Sequence, residues 1–343
     1  MPIRDADRLL RVIRALHAEI RTAVVDATER QSVEALSAAD ESQPGDTIFA
    51  VDRVSEERLV AHVAAELAPY WPLVLVAEGL PDVGHGPGVV VLPAGLGPAD
   101  AEIRVIVDPV DGTRGLMYQK RSAWILTGVA ADRGAATSLR DIELAVQTEI
   151  PLVKQTLSDV VWAVRGGGAH AERYDRRTGG SWALRLRPSR ATSLVHGFAQ
   201  LARFVPGARD VLAAVDDDVA YAVLPAAADG RALMFEDQYL STGGQLYELM
   251  AGHDRYTADV RPLATALLAA ACRPRRLGAH PYDLCTALIA VEAGVIVTDE
   301  SGGELDAPLD VLTDCSWIGY ANADIRALVE PVLQTALRAR GLL

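Results

Sequence analysis

Near the start of the chain, apolar side chains recur at helical spacing. Leu9, Val12, Ile13, Leu16, Ile20 and Val24 fall at i, i+3, i+4 and i+7 intervals. This predicts an amphipathic helix over 5–29 with one face against a core. His17 lies inside it and reads as a packing or surface residue rather than a ligand. A polar stretch over 30–45 ends in the loop signal Gln43-Pro44-Gly45. Ser55, with Glu56 and Glu57 behind it, reads as the N-cap of a second helix reaching Leu67. The pattern then changes to solid apolar runs. Leu73–Ala77 and Val105–Val107 read as buried strands, each ending at a carboxylate, Glu78 and Asp108. Between them, 79–100 is rich in Gly and Pro and reads as a loop or hairpin over the strand ends. Further strands are predicted over 122–131, 142–149 and 158–165, and an exposed hairpin over 172–190. From 191 onward, helix-like and strand-like segments alternate. A small-residue helix start opens 241–256, an added helical segment with several arginines covers 257–276, and Asp283 reads as the N-cap of a helix running to Glu292.

Candidate chemistry concentrates where the second apolar run stops, at Val105-Ile106-Val107-Asp108-Pro109-Val110-Asp111-Gly112-Thr113. Pro109 fixes φ and removes a donor, so the strand is expected to break at Asp108-Pro109. Asp108 and Asp111 leave that end in a tight turn. Gly112 permits close backbone approach, and Thr113 adds a hydroxyl and an N–H. Carboxylates on a rigid turn suit Mg²⁺, and N–H groups beside them suit a phosphate. The plain alternative is an acidic turn that starts a helix, since Asp-Pro and Asp-Gly are ordinary turn pairs. Arg114, Lys120 and Arg121 come next, able either to hold a substrate anion or to neutralise the nearby acids. The glycines of Arg165-Gly166-Gly167-Gly168-Ala169 lack dinucleotide or P-loop spacing, so no nucleotide cofactor is expected.

Composition narrows the classes. A chain of 343 residues, half of them hydrophobic, has room for two subdomains, here 1–190 and 191–343. A formal net charge of −13 argues against a nucleic-acid backbone or an anionic membrane as partner. Three cysteines without CxxC spacing fit a reducing compartment and no zinc site. No apolar run approaches the ~20 residues of a membrane span. The first residues carry Arg4, Asp5, Asp7 and Arg8 with no apolar h-region behind them. A soluble, cytoplasmic protein is expected.

The turn at 108–113 resembles the Asp-Pro-x-Asp-Gly-Thr signature of the inositol monophosphatase family of Mg²⁺-dependent, lithium-sensitive phosphatases. It differs from haloacid dehalogenase-type phosphatases, whose Asp-x-Asp-Gly-Thr puts the carboxylates two apart. Asp46 and Asp52, otherwise plain loop and cap residues, match a family pair six apart, although Phe49 replaces the threonine between them. Glu78 matches a strand-end metal ligand, with Gly79 in place of a second acid. Pro281-Tyr282-Asp283 stands for the Trp-Asp motif, and Glu292-Ala293-Gly294 with Asp299 and Gly302 resembles the family's downstream Glu-Ala-Gly-Gly segment. The resemblance implies a layered α-β-α-β-α sandwich (α/β, or α+β) with a cleft between the two subdomains, and commonly a homodimer. It implies one Mg²⁺ on Glu78, Asp108 and the Val110 carbonyl, and a second on Asp108, Asp111 and Asp283. Two or three ions, or Mn²⁺ instead, are compatible with it. Asp52, Glu78 and Thr113 would act on the attacking water, and Gly112, Thr113 and Arg114 on the phosphate. Inositol-specific members carry a glutamate seven residues before the C-terminal aspartate. Arg276 holds that position, which turns the expectation from inositol monophosphate toward a sugar phosphate, a bisphosphate or 3′-phosphoadenosine 5′-phosphate. A non-catalytic metabolite-binding protein is the alternative of a different class.

Overall fold

The computed structural model describes residues 3–31, 35, 39–40, 48–225, 231–273 and 278–343, with side chains left out at 39–40, 48–52 and 54. Helix α1 spans Ala6–Arg30 and α2 spans Ala50–His62, continued by a π-turn over Val63–Leu67. The α1 stripe is buried as its spacing predicts, from Leu9 through Val24. Helix α2 begins six residues earlier than expected, at Ala50, so Ser55 is a buried interior residue and not a cap.

The next strands are β1 (Leu73–Ala77), β2 (Val89–Leu92) and β3 (Ile103–Asp111). After the short helix α3 (Thr113–Met117) come β4 (Ala123–Ala131), β5 (Ile142–Ile150), β6 (Leu157–Val164), β7 (Ala169–Asp175) and β8 (Ser181–Leu184). They form one eight-stranded sheet in the order β8-β7-β6-β5-β4-β3-β1-β2. Only β1 and β3 pair in parallel within it, Ala77 lying opposite Val107. The carboxyl ends of both strands therefore reach the same sheet edge, which places Glu78 beside Asp108. The region 79–92 is a hairpin, since β2 folds back antiparallel on β1.

A second, five-stranded sheet is drawn from β9 (Gly197–Leu201), β10 (Met234–Phe235), β11 (Asp254–Asp259), β12 (Ile296–Thr298) and β13 (Trp317–Tyr320). Its helices are α4 (Arg209–Val223), α5 (Thr242–Ala251), α6 (Thr265–Ala270), α7 (Pro281–Leu284), α8 (Ala287–Ala293) and α9 (Ala323–Ala339). Helices α1 and α2 cover one face of the large sheet. Helices α5 and α8 lie between the two sheets, and α4 and α9 close the far face of the small one. The five layers are the expected α-β-α-β-α sandwich. Apolar residues of both halves share the central core, for example Val76, Trp124 and Leu126 with Leu246, Leu284 and Trp317.

Three local expectations are corrected. Strand β3 does not stop at Asp108-Pro109 but runs to Asp111. Asp108 pairs with Leu126 and Asp111 with Trp124, so a bulge holds the extra residue and absorbs the missing proline donor. The segment 257–276 is not all helical, because β11 extends to Asp259 before a 3₁₀ turn and α6. The helix predicted from Asp283 to Glu292 is two short helices interrupted at Cys285-Thr286. No described helix is long and apolar enough to cross a membrane.

Candidate metal centre

The bulge in β3 turns Asp108, Val110 and Asp111 inward at the sheet edge. Asp108 is 2% exposed and Asp111 6% exposed. Helix α7 brings Asp283 against them from the other half of the chain. One carboxylate oxygen from each of the three lies within 4.8 Å of the others. Gly112, at φ 97°, makes the left-handed turn that lets α3 begin directly after Asp111.

Each carboxylate is anchored. Asp108 Oδ1 accepts the Val110 N–H at 2.9 Å. Asp111 Oδ2 accepts the Ser241 hydroxyl at 2.8 Å and the Gly243 N–H at 2.6 Å. Asp283 Oδ2 accepts the His280 N–H at 2.6 Å. Asp283 is thus not the N-cap of α7. That place belongs to His280, and Asp283 is the third helical residue reaching back. For Asp108 and Asp283, the second oxygen takes no hydrogen bond among the described residues.

The electrostatics of the cluster are unfavourable as it stands. Burial raises the Asp108 carboxyl well above the ordinary range, and Glu78, Asp111 and Asp283 push it further the same way. Burial and Asp283 raise Asp111 to about 8, against the Ser241, Gly243 and Thr242 bonds that favour its anion. Buried like charges in mutual contact need a cation or a proton. A divalent ion fits the donor set, which is oxygen-only and rigidly held.

The remaining predicted residues divide into those beside the cluster and those drawn away from it. Glu78 is half-buried, and its Oε1 accepts the Tyr282 hydroxyl at 3.3 Å. The Val110 carbonyl accepts the Thr113 hydroxyl at 2.7 Å, one of its two lone pairs. Gly112, Thr113 and Arg114 are half-buried beside the cluster. Arg121 is drawn away from it, pairing with Asp237 at 2.6 Å and Glu248 at 2.8 Å and lying over the Tyr239 ring. Lys120 is exposed. The Asp52 side chain, Asp46 and Arg276 lie outside the described residues.

Three contributors, Ser241, Gly243 and His280, escaped the sequence reading, and Tyr282 read only as an aromatic in place of the motif's tryptophan. Ser241 and Gly243 hold Asp111. Their signal was the small-residue start of α5, but nothing local tells that it faces a residue so far upstream. His280 and Tyr282 stack with ring centroids 5.1 Å apart, and the Tyr282 hydroxyl lies 3.2 Å from His280 Nδ1. His280 Nε2 lies 3.5 Å from Asp314. The tyrosine therefore does something a tryptophan could not in the same way, linking His280 to Glu78 through one hydroxyl.

No protein-family model matches the sequence, and no curated protein sequence matches it. Solved structures do match. The extragenic suppressor protein SuhB of Bartonella henselae superposes with a TM-score of 0.63 at 17% identity, over 95% of this chain and 98% of that one. Fructose-1,6-bisphosphatase of Leishmania major gives 0.68 at 13%, over 99% and 96%. An IMPase of Thermotoga maritima gives 0.58 at 17%, over 97% and 99%. The chain shares the fold of these proteins over nearly its whole length.

Proposed function

We propose that this protein is a Mg²⁺-dependent phosphatase that hydrolyses a small phosphorylated metabolite by direct attack of water. The observation that carries this reading is the buried cluster Asp108–Asp111–Asp283 beside Glu78, a set of acids whose negative charge a bound cation would offset at neutral pH. The site lies in the cleft between 1–190 and 191–343. Glu78, Asp108 and the Val110 carbonyl would hold one ion, and Asp108, Asp111 and Asp283 another. Bound there, such ions neutralise developing charge and make water acidic enough to act as a nucleophile near pH 7. Thr113, its own proton given to Val110, offers lone pairs to orient that water, with Asp52 and Glu78 assisting. Gly112, Thr113 and Arg114 would hold the phosphate oxygens. Arg276 would bind a second anionic group, which favours a sugar phosphate, a bisphosphate or a nucleotide bearing two phosphates over inositol monophosphate. No carboxylate becomes phosphorylated. A homodimer in the cytoplasm belongs to the same reading.

The test is phosphate release from a panel of phosphomonoesters and bisphosphates, with Mg²⁺ or Mn²⁺ and with or without Li⁺. Metal-dependent, Li⁺-inhibited release supports the reading, and the preferred compound reports on Arg276. A folded, Mg²⁺-binding protein that releases nothing from any compound is a metabolite-binding protein instead.

A further inference from the structure

The acids of the candidate centre are not all held in the same way. Asp108, Asp111 and Asp283 are short side chains, and each accepts a backbone N–H. Glu78 stands one residue past the last registered pair of β1, Ala77 with Val107, and has one more torsion to fix. A contact from the other half of the chain reaches it. The Tyr282 hydroxyl donates to Glu78 Oε1 at 3.3 Å.

Tyr282 is well placed to do this. It is 5% exposed, and Pro281 in front of it opens α7. Its ring lies 5.1 Å from that of His280, with 5° between the planes. His280 Nδ1 is 3.2 Å from the Tyr282 hydroxyl. A hydroxyl has one proton to give and lone pairs with which to receive. With that proton given to Glu78, the His280 ring becomes the donor to the hydroxyl oxygen. Stack and hydrogen bond together then fix the direction of the hydroxyl. A tryptophan there could donate through its indole N–H but could not accept, so the link to His280 would be lost. The same turn of chain also sets a second acid, because the Asp283 carboxylate accepts the His280 N–H. Residues 280–283 thus hold Asp283 through the backbone and reach Glu78, on the opposite half, through a side chain.

We propose that Tyr282 is a positioning residue for Glu78, a role that rests on the acid cluster being a metal centre. Its hydroxyl, aimed by the His280 ring, fixes which way the Glu78 carboxylate faces when a divalent ion is bound. Hydrogen bonds behind a metal ligand hold its orientation, and losing one costs about 10- to 100-fold in metal affinity. The plain alternative is that Tyr282 only fills the central core, to which its ring belongs. Tyr282→Phe separates the two, since it keeps the ring and removes the hydroxyl.

The experiment titrates the full chain with Mn²⁺, after chelator treatment and without any phosphate ester, and reads affinity by calorimetry. Tyr282→Phe is expected to weaken binding about tenfold. The decisive comparison is a cycle with Glu78→Ala. In that background Tyr282→Phe is expected to change affinity about twofold or less, because the group it acts through is gone. A packing role would carry the same loss into both backgrounds. Should Glu78→Ala abolish binding, the cycle is closed with His280→Ala, whose effect must not add to that of Tyr282→Phe. Equal affinity in Tyr282→Phe and the parent chain overturns the proposal, and so do losses that add in the cycle. A parent chain that binds no Mn²⁺ overturns the metal centre and the role of Tyr282 with it. Mn²⁺ binding with the expected dependence on Tyr282, but no phosphate release from any ester, supports the role of Tyr282 and strikes the phosphatase reading alone.

Discussion

Among the described residues, three strands of this protein end in a buried aspartate, β3 at Asp111, β7 at Asp175 and β11 at Asp259, and the chain treats the first and the last in opposite ways. At the end of β11, Asp259 is 1% exposed, and Arg261 two residues on binds both its oxygens, with Nε at 2.8 Å from Oδ1. Arg261 is itself 7% exposed and lies over the Phe204 ring. At the end of β3, Asp111 is equally enclosed but is given Asp108 and Asp283 for company. In the first arrangement charge meets charge within one turn of chain, although Arg261 Nη1 is buried without a hydrogen bond among the described residues and Asp283 and Asp314 also act on the guanidinium. The second is finished only when something positive arrives from outside. A buried carboxylate thus calls for a charge from outside only where its neighbours share its sign.

The two strand ends separate most decisively at Asp108. Asp108→Asn is expected to retain the fold and lose turnover by about a thousandfold or more, because a ligand shared between both proposed ions disappears. Turnover assays with circular dichroism check this, and normal turnover would sink the assignment. At the other strand end, Arg261→Met should leave activity assays moot by costing about 3–5 kcal/mol of stability, since Asp259 is left buried and alone. Denaturant unfolding reads that loss, and an unchanged midpoint would mean that Asp259 can escape to water.

A smaller effect tests a buried group that is neither paired with an acid nor part of the cluster. Burial, with help from Arg21, lowers His17 from 6.5 to about 3. Its contribution to stability is complete above pH 6.5 and is lost as the pH falls toward 3, about 3 kcal/mol of it by pH 4. His17→Gln keeps a neutral partner for Thr127 and Thr148, so its acid unfolding limb should be shallower than that of the parent chain. The cluster has the reverse sign. Asp111 binds its proton more tightly folded, at about 8, than unfolded, at 3.8. Its contribution is complete below pH 3.8 and is lost as the pH rises through about 8, so metal-free protein should melt at lower temperature at pH 8 than at pH 5. Mg²⁺ at a hundredfold excess over Kd should restore about 2.7 kcal/mol, with a larger gain at pH 8 than at pH 6. Equal gains at both would show that the ion does not compete with these protons.

Much of the frame was legible because it rests on short-range pattern. The α1 stripe, the β1 and β3 runs and their terminal acids are all local, and each element sits where its periodicity places it. The failures were also local but depended on distant partners. Ser55 has the chemistry of a cap, yet the chain turns helical at Ala50 and buries it. Asp283 looked like a cap because Asp favours that place, whereas the His280 backbone took it and Asp283 reached back. Pro109 read as a stop because a central strand cannot lose a donor, and the bulge that excuses it is visible only with β4 alongside. Ser241 and Gly243 were invisible as site residues, since nothing in their own segment points to Asp111.

The lone parallel pairing in the large sheet has a consequence for how the molecule is made. Strands β4 to β8 can zip up as successive hairpins, each close in sequence to the last. Joining β1 to β3 needs a crossover, and bringing Asp283 to Asp111 closes a loop of ~170 residues. Asp283 is therefore expected to join Asp108 and Asp111 late in folding, when the hairpins are already in place. A cation would speed that final docking and leave the early hairpins untouched.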